Sequence, residues 1–87
     1  MPQISAFYGI GIWMYWNEAT HMCPHFHARY GAHQASISLD GRIIAGWLPA
    51  RAVRLVRDWA ILHRVELLAN WKRARDGNAV EKIDPLP

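Results

Sequence analysis

The sequence predicts an α+β fold in which a small antiparallel sheet of about four strands packs one face against one long C-terminal helix. Residues 34–39 alternate apolar and polar side chains with the period of a strand. The pair Asp40-Gly41 is typical of a tight hairpin. The segment after Pro49 has the apolar period of a helix. Because the chain has 87 residues, we expect a single domain over 1–87.

The strands are predicted from this alternation and from the turn residues between them. Residues 4–16 carry apolar groups on both faces, and we interpret them as one central strand or a bent pair of strands. Gly9 and Gly11 fit a β-bulge or a close approach of another backbone. The remaining strands are placed at 25–30, 34–39 and 42–47.

The helix is predicted over about 49–75. Pro49 suits its first turn, and Gly77 follows its end. At 100° per residue, an apolar stripe faces the sheet, while Leu55 and Leu62 lie nearly opposite and indicate a partner surface or a homo-oligomer. The tail, 79–87, is expected to be extended over the surface.

A basic ridge runs along one flank of this helix. Between positions 48 and 76 there are seven basic and three acidic residues, although the whole chain has a net charge of only +3. Such a local positive potential suits a nucleic-acid backbone or an acidic protein. The ridge consists of Arg54, Arg57, Arg64, Lys72 and Arg75.

The composition favours a cytoplasmic protein without a membrane partner. With one cysteine, the chain forms no internal disulfide. No apolar run is long enough to span a bilayer, and the N-terminus lacks the pattern of a secretory signal.

Residues 25–30, His-Phe-His-Ala-Arg-Tyr, contain the leading candidate site. In a strand, successive side chains alternate between faces, so His25, His27 and Arg29 share one side. Two imidazoles can share the general-acid and general-base roles of RNA cleavage, and a guanidinium can hold the phosphate. Tyr30 completes the candidate catalytic set as a ring on which a base can stack, as can Trp13 and Tyr15. This chemistry is metal-independent and needs no cofactor.

Metal binding is a second interpretation of the same residues. A His-x-His pair such as His25 and His27 presents two imidazoles for zinc or another divalent transition metal. A third ligand is required, and the available candidates are His21, Cys23, His33 and His63. His63 is excluded if the helix packs on the opposite face of the sheet from the pair.

His63 and Glu66 form a candidate second site. They are one helical turn apart, which brings their side chains together. The alternative is that His63 is a hydrogen-bonded core residue paired with Glu66.

The order of several motifs also resembles a known family. They are Phe7-Tyr8-Gly9-Ile10, Met14-Tyr15, Pro24-His25-Phe26-His27-Ala28-Arg29-Tyr30-Gly31, Gly46-x-Leu48-Pro49, Leu55-Val56-x-x-Trp59, His63-x-x-Glu66-Leu67, Asn70-Trp71 and Ile83-x-Pro85-Leu86. Over almost its whole length the chain resembles the bacterial domain-of-unknown-function family 4160. The resemblance implies a stand-alone protein encoded beside a second small protein, as one half of a toxin–antitoxin pair, and implies no established activity.

We therefore predict a toxin-like component that acts on, or binds, RNA or DNA, with a cognate small protein encoded nearby as its partner. Two alternatives remain open. One is a non-enzymatic protein-binding or regulatory module, and the other is a histidine-based metal-binding protein.

Overall fold

The computed structural model describes residues 3–16 and 23–87 and contains an antiparallel sheet and two helices. The five strands lie side by side in chain order, as a meander. The predicted α+β class and antiparallel sheet are thus confirmed. The elements are β1 (Gln3–Phe7), β2 (Ile10–Trp13), β3 (His25–Tyr30), β4 (His33–Ser38), β5 (Ile43–Gly46), α1 (Ala50–Leu62) and α2 (Arg64–Arg75).

The sheet has one strand more than the sequence predicted, because residues 4–16 contain a hairpin. Tyr8 and Gly9 have φ angles of 48° and 79°, and Phe7 is paired with Ile10 across them. Positive φ at both central residues is the requirement of the tight turn that matches the twist of the strands. Gly9 therefore makes a turn, where its sequence context predicted a bulge or a close backbone approach.

The predicted single helix is divided into two at His63, whose φ and ψ are −113° and 28°. The hydrogen bonds around the break are kept, since the His63 N–H donates to the Trp59 carbonyl oxygen at 3.0 Å. The apolar stripe also stays in phase, because Ala60 and Leu67 are both fully buried. Neither helix within 3–16 and 23–87 is long and apolar enough to cross a membrane.

Trp59 lies at the centre of the core between α1 and the sheet. Its ring is fully buried, 5.4 Å from Phe7 and 5.6 Å from Phe26 between ring centroids. Its indole N–H donates to the carbonyl oxygen of Asp84 at 2.8 Å. Burying a large side chain of this kind stabilises a fold by roughly 2–3 kcal/mol.

The C-terminal segment, residues 79–87, covers the outer edge of β1. The Ile83 N–H donates to the Ile4 carbonyl oxygen at 2.8 Å. Asn70, which is 1% exposed, donates to the Glu81 carbonyl oxygen and accepts from the Glu81 N–H and the Arg73 guanidinium. The helices and this segment therefore cover one face and one edge of the sheet.

Candidate functional site

The surface of the sheet opposite the helices carries a continuous group of polar and aromatic side chains, which we call the open face. Residues paired directly across an antiparallel sheet share a face. Trp13 is paired with His27, and Arg29 is paired with Gln34. The open face consists of Gly11, Trp13, Tyr15, His27, Arg29, Gln34 and Ser36.

Two aromatic groups form the floor of the open face. The rings of Tyr15 and His27 are stacked in parallel, with 4.7 Å between centroids and 6° between planes. The indole of Trp13 lies against Gly11, and a Cβ atom at position 11 would collide with it. The position of the Trp13 ring therefore depends on a glycine at position 11.

Two shallow cavities meet on this face. One, of about 130 Å³, is lined by Trp13, Tyr15, His27, Ala28, Arg29 and Gln34. The other, of about 290 Å³, lies toward β1 and shares Trp13 and Arg29 with the first. Trp13 and Arg29 therefore stand between two parts of one groove that crosses the strands.

The ring nitrogens of His27 have few hydrogen-bond partners on the open face. Its Nδ1 is 3.3 Å from the Ser36 hydroxyl, and its Nε2 is buried without a hydrogen-bond partner among the described residues. Burial, and then the nearby His25, lower the pKa of His27 below its ordinary value of 6.5. The environment of His27 therefore favours the neutral imidazole.

His25 is on the same side of β3 but is covered. It is 5% exposed, and its ring lies 5.3 Å from that of Trp71 in α2 and 5.1 Å from that of His27. Its Nδ1–H donates to the Cys23 carbonyl oxygen at 2.8 Å. The exposure of the three predicted polar groups thus increases along the strand, from buried His25 through half-buried His27 to exposed Arg29.

Arg29 and Tyr30 lie on opposite sides of the sheet. Among the described residues no carboxylate pairs with Arg29, so its guanidinium is available to an anion. Tyr30 packs against the core, with its ring beside Gly9. The structure therefore places three of the four residues predicted to be catalytic on one side of β3, where only His27 and Arg29 line the same cavity, and places Tyr30 on the other side.

The candidate second site, His63 and Glu66, forms a close pair in the helical layer. The His63 Nδ1 and the Glu66 Oε1 are 2.6 Å apart, and the imidazole lies 5.8 Å from the Trp59 ring. His63 has a buried Nε2, and Glu66 is half exposed. Neither residue lines the two cavities of the open face.

The basic ridge also lies in the helical layer. All five of its side chains are exposed, and the break at His63 places two of them on α1 and three on α2. Arg75 pairs with Asp76, with 3.1 Å between Nε and Oδ1. Of the two leucines predicted to form a partner surface, Leu55 packs against the core and Leu62 is exposed.

Among the described residues, the candidate metal ligands His25 and His27 have no third ligand beside them. Within 3–16 and 23–87, no three His, Cys, Asp or Glu side chains lie close enough to hold an ion. Cys23 is exposed, and the ring of His33 lies 4.7 Å from that of Trp47. His21 lies outside the described residues.

Gln34 and Ser36 belong to the open face but were not among the residues predicted from the sequence. Both follow from the register of the β3–β4 hairpin, in which Tyr30 is paired with His33 across a two-residue turn. Gly31, with φ of 60°, was the available signal. Counting outward from that turn would have placed Gln34 opposite Arg29 and Ser36 opposite His27.

Comparison with known proteins yields one match. Residues 9–72 match the family described as "Domain of unknown function (DUF4160)". No curated protein matches the chain. No solved structure matches it either.

Proposed function

Because the chain belongs to the DUF4160 family, whose description assigns no activity, we propose a function from the geometry of the open face: the protein binds single-stranded nucleic acid there. One observation carries this proposal. The half-buried ring of Trp13 stands beside an unpaired guanidinium, Arg29, in a groove on an antiparallel sheet.

Aromatic rings on an open sheet are an established means of holding unstacked bases. Each base that stacks on such a ring contributes about 1–3 kcal/mol and does so with little sequence preference. In this arrangement one base stacks on Trp13, and the next lies over the Tyr15–His27 pair. Arg29 holds the phosphate between them with charge-assisted hydrogen bonds.

The geometry favours binding over cleavage. General acid–base catalysis requires groups within hydrogen-bond reach of the reacting hydroxyl and the leaving oxygen. His25 is covered by Trp71, and the Nε2 of His27 is buried. The toxin-like role implied by the family resemblance is compatible with binding, since sequestering an RNA requires no cleavage.

The test is the affinity for a short fluorescein-labelled single-stranded RNA, measured by fluorescence anisotropy over a range of salt concentrations. For single strands, log K falls with log salt by about 0.7 for each phosphate neutralised. We expect Arg29→Gln to weaken binding and to reduce this slope by about 0.7, the contribution of one phosphate.

Arg54→Gln is the matched control, since it removes the same charge from the basic ridge on the other side of the molecule. We expect it to leave the affinity and the slope nearly unchanged. If Arg54→Gln weakens binding and Arg29→Gln does not, the ridge is the nucleic-acid surface and the proposal is wrong. Metal-independent cleavage of the RNA, lost in His27→Ala, would replace binding with the ribonuclease alternative.

A further inference from the structure

The outer edges of the two outer strands of the sheet, β1 and β5, differ in how they are covered. The outer edge of β1 is covered by the C-terminal segment, through the hydrogen bond from Ile83 to Ile4. Among the described residues β5 is paired with β4 alone, and all four residues of the strand, Ile43–Gly46, are exposed. An outer strand presents N–H and C=O groups that can pair with an added extended chain.

A bulge interrupts the β4–β5 pairing at two exposed isoleucines of β5. Ser36 is paired with Ala45 and Ile37 with Ile43, so Ile44 is the additional residue on the β5 side. Ile43 and Ile44 are 38% and 51% exposed. Two adjacent exposed isoleucines on an outer strand form an apolar patch of the kind that marks an interaction site.

The patch lines a cavity of about 490 Å³. Arg64 and the exposed Leu68 of α2 also line it. The remaining lining residues lie just before β3, at the end of β4 and in the turn before β5: Cys23, Pro24, Ser38, Leu39, Asp40 and Arg42. The cavity is therefore a groove between α2 and one end of strands β3 to β5, lined by apolar and basic side chains.

The charge of this groove is positive. Its one carboxylate, Asp40, lies 3.7 Å from Arg42 and is already paired. Arg57 packs beside Gly41, at the turn that leads into β5. Within the described part of the chain, neither Arg57 nor Arg64 has a carboxylate partner.

We propose that this groove binds an extended peptide segment of a partner protein, in which apolar and acidic residues alternate. Apolar side chains would contact Ile43, Ile44 and Leu68, while carboxylates would pair with the arginines of the groove.

Charge complementarity favours this occupant over a second copy of the chain. A second copy would present its own β5, and Ile43–Gly46 contains no acidic residue to pair with Arg64. The apolar lining distinguishes the groove from the open face, where aromatic rings favour bases. The inference is therefore independent of the proposed nucleic-acid function.

The test is selection of a displayed library of random peptides against the full-length chain, followed by anisotropy measurements with a selected peptide. We expect enrichment of sequences in which apolar and acidic residues alternate. Both Ile44→Ser and Arg64→Glu should lower the affinity for the selected peptide by roughly tenfold or more. Val65→Ser is the matched control, because Val65 is 83% exposed on α2 and does not line the groove.

Three outcomes would overturn the inference. One is a library that yields no enriched sequence or yields basic ones, and another is a selected peptide that binds Arg64→Glu as tightly as the unmodified chain. The third is a dimer in analytical ultracentrifugation that Ile44→Ser dissociates, since that result would assign the edge to a second copy. Trp13→Ala should leave peptide binding unchanged, which separates this test from that of the open face.

Discussion

The two faces of the sheet use the same residue types for different purposes. On the covered face, Trp59 is fully buried, contacts Phe7 and Phe26, and has its N–H bonded to a carbonyl oxygen. On the open face, Trp13 is half-buried and lies against a glycine. The comparison indicates that the first ring stabilises the fold, whereas the second is available to a ligand.

The histidines show the same contrast. His63, in the helical layer, has a carboxylate partner 2.6 Å away in Glu66. His27, on the open face, contacts a serine hydroxyl and stacks on Tyr15. A hydrogen bond from the break between α1 and α2 to a carboxylate in the first turn of α2 is an adequate structural explanation for His63, so the functional interest lies with His27.

The largest effect on stability is expected on the covered face, from Asn70→Ala. The substitution leaves the Glu81 N–H and carbonyl oxygen without the partner that ties the C-terminal segment to α2. We expect the free energy of unfolding in urea to fall by about 1–3 kcal/mol, since two hydrogen bonds made by a buried side chain are lost and each contributes about 0.5–1.5 kcal/mol. Asn78→Ala, at an exposed position, is the control and should change stability little. Equal stability of the two variants would show that the segment is held by its apolar contacts alone.

A smaller effect, confined to binding, is expected from Gly11→Ala. The added methyl group displaces the Trp13 ring and should weaken RNA binding by roughly fivefold, near 1 kcal/mol, the lower limit for one stacked base. Stability should not fall, because Gly11 does not have a positive φ. In a Trp13→Ala background the same substitution should have no further effect on affinity, and a remaining loss would show that Gly11 acts by another route.

The smallest effect is expected in the part of the pH dependence of stability that His27 causes. Its folded pKa lies below the ordinary value of 6.5, so the unfolded chain binds more protons between the two values. The stability that His27 contributes is therefore fully present above pH 6.5 and decreases as the pH falls below it. His27→Phe keeps a ring against Tyr15 and should remove this part of the pH dependence in urea titrations, whereas the exposed-site control His33→Phe should retain it. Identical profiles for His27→Phe and the unmodified chain would contradict the pKa direction.

Local sequence patterns were sufficient for the fold class and for most of the strands. Asp40-Gly41 predicted the hairpin before β5, and the alternation in 25–30 placed His25, His27 and Arg29 on one side of β3. The hairpin at Tyr8-Gly9 was ambiguous because apolar residues on both faces hide the boundary between β1 and β2. The break at His63 had no signal, since it contains no proline or glycine and keeps the apolar stripe in phase.

The accessibility of the site was not predictable from local patterns. His25 is buried because Trp71, distant in sequence, lies against it. Asn70 likewise bonds to Glu81 across eleven positions, which no helical periodicity indicates. Such properties depend on how α2 and the C-terminal segment pack. The alternation of the strand therefore predicted on which side each side chain lies but not how exposed that side chain is.

The most direct test of the open face compares the affinities of Trp13→Ala and Trp47→Ala for single-stranded RNA. Trp13 is partly exposed and Trp47 is largely exposed. Trp47 is 59% exposed and lies off the open face, against His33. We predict that Trp13→Ala raises the dissociation constant by roughly five- to 150-fold, the equivalent of one stacked base, and that Trp47→Ala changes it by less than about twofold. Equal effects, or a larger loss in Trp47→Ala, would contradict the assignment of the open face as the nucleic-acid surface.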